Sequence, residues 1–178
     1  MVCEMVQFPY KVSCNNIYDV VQFRNKNMVI ESLCSGRPVI MLSGHFGNWE
    51  MSIATFGMFG FPMGVVARTL DNRYLDDWFR RFRESTGHMM IDKKGGGGEM
   101  QDRLSDNQHL ALLADQDAGR RGIFVDFFGR PASTYKSIAI LAQCYDAVVC
   151  VGCSIRLRDD VHAGNWVKYE LGCEAILD

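Results

Sequence analysis

The stretch Ser43-Gly44-His45-Phe46-Gly47-Asn48-Trp49-Glu50 lies between two apolar segments of different character, and that pairing narrows the fold more than any other feature of the chain. Residues 39–42 read Val-Ile-Met-Leu, a short β-prone run of the kind buried in a parallel sheet. Residues 51–59 read Met-Ser-Ile-Ala-Thr-Phe-Gly-Met-Phe, apolar on nearly every side, as an interior helix is. The polar stretch between them is then a strand-to-helix turn. Gly44 and Gly47 allow the sharp bend, and Asn48 is placed to cap the helix.

The spacing of His45 and Glu50 sets what the turn can do. On one continuous helix five residues rotate through about 500°, so the two side chains would diverge. They converge only if His45 precedes the helix. With Asn48 as cap, Glu50 falls in the first turn, where the helix dipole favours its ionised form and it can reach back to the imidazole. This predicts a general base with its orienting carboxylate: Glu50 fixes the tautomer of His45, and the other ring nitrogen takes a proton. If that proton comes from a substrate hydroxyl, no Ser or Cys nucleophile is required. The plainer alternative is a polar histidine that has found a hydrogen bond near a helix start. A zinc-protease reading is disfavoured because His-Glu-x-x-His needs a second histidine.

At 178 residues, nearly half of them apolar, the chain suits a single globular domain over 1–178. The net charge of -2 gives no footprint for nucleic acid. No apolar run approaches the roughly 18–20 residues that span a bilayer, and residues 1–10 carry Glu4 without a basic leader. Seven cysteines, an odd number, read as reduced thiols. Cys150 and Cys153 fall in a strand-like run where residues three apart face opposite ways, so no metal or disulfide is expected there.

Strand-like runs at 39–42, 63–67, 89–91, 110–114, 147–155 and 166–171 alternate with helical patterns. That order predicts an α/β fold, a largely parallel central sheet flanked by helices. Residues 18–34 read as one polar helix and 135–144 as another, capped by Ser133 or Thr134. Residues 71–85 form the clearest amphipathic pattern, with Leu75, Trp78, Phe79 and Phe82 toward the core. Ligands gather beyond the carboxyl ends of parallel strands, so Arg68, Asp115 and Gln116 should share a rim with His45. A cation at Arg68 suits a phosphate. For Arg68 a surface ion pair is the alternative. Residues 158–160 read as a solvated turn.

The order Gly44-His45-Phe46-Gly47-Asn48-Trp49-Glu50, then Asp115-Gln116, then Phe127-Phe128-Gly129-Arg130-Pro131-Ala132 resembles the lipid A biosynthesis lauroyl/myristoyl acyltransferases, a branch of the lysophospholipid acyltransferase superfamily. The similarity runs from about residue 30 to about residue 155, and the Gly-Asn-Trp-Glu context also resembles the mycobacterial mannolipid branch. It implies a glycerolipid-acyltransferase-like fold and O-acyl transfer from acyl carrier protein or a coenzyme A thioester to a hydroxyl of a membrane glycolipid such as a lipid A precursor. His45 and Glu50 would be catalytic. Phe46, Gly47, Asn48, Arg68, Asp115, Gln116 and Arg120 would touch substrate, with amides near residues 47–49 at the oxyanion. The resemblance implies that Asp115 and Gln116 meet sugar hydroxyls, that Arg120 or Arg121 pairs with an acceptor phosphate, and that the aromatics of residues 123–128 are either core or part of an acyl groove. No metal and no cofactor beyond the acyl thioester is expected. The resemblance also implies work at the cytoplasmic face of a bacterial inner membrane, peripheral or anchored through segments absent here, and a chain truncated at both ends relative to the family. Tyr135-Lys136 departs from the smaller residues common there. A lipid or acyl-carrier binding module without turnover, and a thioesterase or lipid hydrolase, are the rival functions.

Overall fold

Alternation along each strand sorts the core into a layer on either side of one sheet. The computed structural model describes residues 2–157 and 167–178. Its strands are β1 (Val21–Arg24), β2 (Val39–Ser43), β3 (Met63–Ala67), β4 (Met89–Asp92), β5 (His109–Leu113), β6 (Ile123–Phe127), β7 (Arg130–Thr134), β8 (Val148–Arg156) and β9 (Tyr169–Leu177). Its helices are α1 (Val2–Lys11), α2 (Ile17–Val20), α3 (Lys26–Leu33), α4 (Trp49–Met58), α5 (Arg73–Glu84), α6 (Gly97–Ser105) and α7 (Ser137–Cys144). The main sheet runs β1-β9-β8-β2-β5-β3-β4, while β6 and β7 stand apart as an antiparallel hairpin. Every neighbouring pair in the main sheet is parallel except β8 with β9. The chain thus has the α/β architecture that its alternating runs predict.

Val39 and Ile40, adjacent and fully buried, show how the layers arise. Val39 packs with Val65, Ala111 and Val148 on the face covered by α3 and α4. Ile40 packs with Leu110 and Val149 on the opposite face, against Leu104 of α6 and Leu141 of α7. Outside α4 a further cluster joins α1 and α5 to it through Met5, Phe8, Met51 and Phe82. Among the described residues no helix is long and apolar enough to cross a membrane.

Several local expectations give way to tertiary pairing. Residues 18–34 do not make one helix: Val21 is buried and its strand pairs with β9, completing that side of the sheet. Asn25, in the left-handed conformation at φ 58°, then turns the chain into α3. Ser133 and Thr134 belong to β7, and the Ser133 hydroxyl donates to the Gly119 carbonyl at 2.7 Å, so α7 starts without a side-chain cap. On α5, Asn72 caps the first turn and Phe82 is buried as expected, but Leu75 stays exposed. The closing strand begins at Tyr169, and the turn expected at 158–160 lies outside the described residues.

Candidate active site

The parallel ladder itself brings the central pair together. Ser43 at the end of β2 lies opposite Leu113 at the end of β5, and the Ala114 amide extends the pairing by donating to the Ser43 carbonyl at 3.0 Å. His45 and Asp115 each lie two residues past their strand, so the register leaves them level at the carboxyl rim. His45 Nδ1 sits 2.7 Å from Asp115 Oδ1, and the His45 backbone amide donates to Asp115 Oδ2 at 2.6 Å. Gly44 permits this closeness, because a Cβ there would stand 3.0 Å from Asp115 Oδ2. Burial alone would raise the Asp115 carboxyl, but the hydrogen bonds from His45 outweigh it and hold the group below its ordinary value. An ionised Asp115 accepts a proton-bearing Nδ1, which leaves Nε2 as the free lone pair. Both side chains remain open to solvent, at 36% and 44% exposure.

Glu50 is not the carboxylate on the imidazole, contrary to the reading from spacing. Arg83 on α5 grips it with two bonds, Nε to Oε2 at 2.9 Å and Nη2 to Oε1 at 2.5 Å. The indole Nε1 of Trp49 donates to Oε1 at 3.2 Å, and Glu50 is only 2% exposed. The Trp49 ring meets His45 edge-on with centroids 4.8 Å apart, so it is the aromatic contact between the imidazole and the buried ion pair. Asn48 does cap α4, accepting from the Met51 amide at 3.3 Å. Glu50 thus sits in the first turn of α4, as the spacing predicts. What spacing could not supply was Arg83, thirty-three residues further on.

The turn is held from its other side. Gly47 pairs with Ser154 of β8 in an isolated bridge, at φ 65°, and a Cβ there would come within 1.6 Å of the Ser154 carbonyl oxygen. Gly47→Ala combines a left-handed backbone penalty with a clash against main chain, so an expected loss of about 2–4 kcal/mol follows. Denaturant unfolding monitored by circular dichroism measures it.

A model of the bacterial lipid A biosynthesis acyltransferases matches residues 3–172. The chain belongs to that family. Among curated proteins it is similar to a phosphatidylinositol mannoside acyltransferase of Mycolicibacterium smegmatis, 33% identical over 106 residues, which cover 55% of this chain and 34% of that protein. A phosphatidylinositol mannoside acyltransferase of Mycobacterium tuberculosis is 32% identical over 108 residues, covering 56% and 33%. The match thus spans about a third of the length of these relatives.

In this member of the lipid A acyltransferase family the other expected contacts divide by exposure. Phe46 is 63% exposed beside His45. Asn48 is buried and fully engaged, its Nδ2 donating to Glu4 at 2.9 Å and to the Tyr169 hydroxyl at 3.3 Å, so its side chain is structural rather than substrate-facing. Arg68 forms the exposed pair with Asp71 at 3.0 Å that was its alternative reading. Gln116 accepts from Lys93 Nζ at 3.3 Å, and Lys93 also reaches the Tyr135 hydroxyl at 3.1 Å. Lys93 is a functional candidate that no motif singles out, and its place directly after β4 is the signal that marks it as a rim residue. Arg120 is exposed in a short 3-10 turn, Gly119–Arg121. Of the two other described histidines, His88 is buried and His109 half-buried in the scaffold, and loss of solvent pushes both below the ordinary imidazole value.

Behind the turn lies a cavity of about 250 Å³ between the sheet and helices α3 and α4. Ile53, Phe56, Val65 and Leu113 are among its apolar walls, and Trp49, Glu50 and Arg83 also line it. The aromatics of residues 123–128 do not line it, nor do they join the core. One wall residue, Trp49, thus touches the imidazole directly.

Proposed function

We propose that this chain carries the catalytic core of an O-acyltransferase, moving a fatty acyl chain from an acyl thioester of carrier protein or coenzyme A to a hydroxyl of a membrane glycolipid. A lipid A precursor or a phosphatidylinositol mannoside is the acceptor class that the family and the similar mycobacterial proteins support. The observation that carries the reading is the His45–Asp115 pair, open to solvent on the rim and joined through Trp49 to an apolar cavity.

The acceptor hydroxyl gives its proton to Nε2 of His45 as its oxygen attacks the thioester carbonyl. Asp115 holds Nδ1–H and stabilises the imidazolium. Collapse of the tetrahedral intermediate breaks the carbon–sulfur bond, and the thiolate takes the proton back from His45. Amides in the first turn of α4 are the donors available to the oxyanion. Glu50 and Arg83 act at one remove, shaping the wall on which Trp49 and then His45 rest. On the rim, Lys93, Gln116 and Arg120 suit a phosphorylated sugar headgroup.

Incubation with labelled acyl thioester and either acceptor tests this, the expected product being acyl glycolipid. Free fatty acid alone would make the protein a hydrolase, and donor bound without turnover would make it a binding module. Ile53→Trp narrows the cavity, so the enzyme should lose about tenfold or more in kcat/KM on its longest accepted chain and little on shorter ones. A donor series of graded length measures that.

A further inference from the structure

The β6–β7 hairpin exposes apolar surface that the site does not use. All five residues of β6 are exposed, with Phe124 at 69% and Phe127 at 63%, and Phe128 in the connecting turn is 92% exposed. Ile123, Val125 and Phe127 share one face, where their partners across the pair are Thr134, Ala132 and Arg130. Phe124 projects from the other face. A lone two-stranded ribbon is at best marginal in water, and one that shows aromatics on both faces is costly to leave exposed.

Its base is nonetheless fixed. The Ala118 amide donates to the Ser133 carbonyl at 3.1 Å, and the Ser133 hydroxyl donates back to Gly119 at 2.7 Å. At the base the side chains of Arg120, Arg121 and Lys136 are exposed, and at the tip so is that of Arg130 opposite Phe127, with no hydrogen-bond or ion-pair partner for any of them among the described residues. One acid lies on the ribbon, Asp126, and its carboxylate accepts from the Gly129 amide in the turn at 3.0 Å. Five residues of strand separate the basic base from the aromatic tip by about 16 Å. Only three residues separate Asp115, on the imidazole, from Gly119 at that base.

We infer that this hairpin docks the chain on an anionic bilayer, its tip among the acyl chains, the cations of its base at the headgroups and Arg130 snorkelling back toward them. A protein partner usually covers one face of a ribbon, whereas the interfacial layer surrounds both. The cations are where lipid phosphates would meet them, and aromatic side chains favour that layer. Docked in this way, the hairpin holds the His45 rim against the surface in which a glycolipid hydroxyl resides. This deepens the acyltransferase reading and rests on it.

Co-sedimentation with phosphatidylcholine vesicles, with and without phosphatidylglycerol, tests the docking. The triple change Phe124→Ser, Phe127→Ser and Phe128→Ser should cut partitioning by about a hundredfold or more. Arg121→Ala with Lys136→Ala should cut it about thirtyfold on anionic vesicles and little on neutral ones. Phe128→Trp should add a fluorescence signal quenched by brominated acyl chains. These side chains are exposed, so thermal melting should match the parent. Vesicle binding that is absent, or indifferent to both sets of changes, overturns the inference. So does loss of acyl carrier protein binding in the triple variant with vesicle binding intact. Transfer to a detergent-dispersed acceptor separates the two readings. If it proceeds while vesicles ignore the hairpin, only the docking fails; if vesicles need the hairpin but nothing is transferred, only the enzyme fails.

Discussion

His45→Ala should lower acyl transfer by about 10²–10⁴-fold, the usual contribution of a positioned general base, while the protein keeps its fold. Asp115→Asn should fall in the same range, because an amide can present its NH₂ to Nδ1 and so favour the tautomer whose proton sits on Nε2. Stability should hardly change in either variant. The pair is exposed, and exposed ion pairs contribute about 0–1 kcal/mol. Turnover of a labelled acyl donor, measured beside thermal melting, reads both quantities. Full activity in Asp115→Asn would remove the aspartate from the mechanism and leave the imidazole without its orienting group.

Glu50→Ala should behave in the opposite way, failing first in stability. It leaves the guanidinium of Arg83, only 16% exposed, without its carboxylate in an apolar wall. Breaking one side of a buried pair costs about 3–5 kcal/mol, which lowers Tm by roughly 10 °C in a domain of this size. Activity would fall as well, through the fold. The discriminating variant is the double change Glu50→Met with Arg83→Leu, which removes both charges and keeps most of the volume. It should recover much of the lost stability and transfer. If it melts like the parent yet transfers nothing, then Glu50 takes part in proton transfer after all.

The contrast between these two acids marks where sequence reasoning succeeded and where it stopped. His45 was legible because a glycine-flanked polar turn between a buried strand and an apolar helix is a locally complete signal. Asp115 was legible as a rim residue, since it follows an apolar strand. Its partnership with His45 was not, because it depends on β2 lying next to β5, a relation across seventy residues that no local pattern records. Glu50 misled for the converse reason: the spacing permitted a contact, and a more distant arginine supplied a stronger one. The strand Val21–Arg24 was hidden in polar surroundings and declared itself only through β9. The hairpin aromatics have the composition of a core, and only the fold shows that nothing in the described chain covers them.

Because the acid and the base hang from neighbouring main chains, their separation is dictated by peptide geometry and not by the particular hydrocarbons packed beneath. Evolution can therefore rework the interior of this fold extensively, trading one aliphatic for another and losing thermal margin gradually, before the distance across which a proton must move begins to drift. A slip of one position between β2 and β5 has the reverse character: it exchanges the side chains of the two layers and parts the two groups at a stroke.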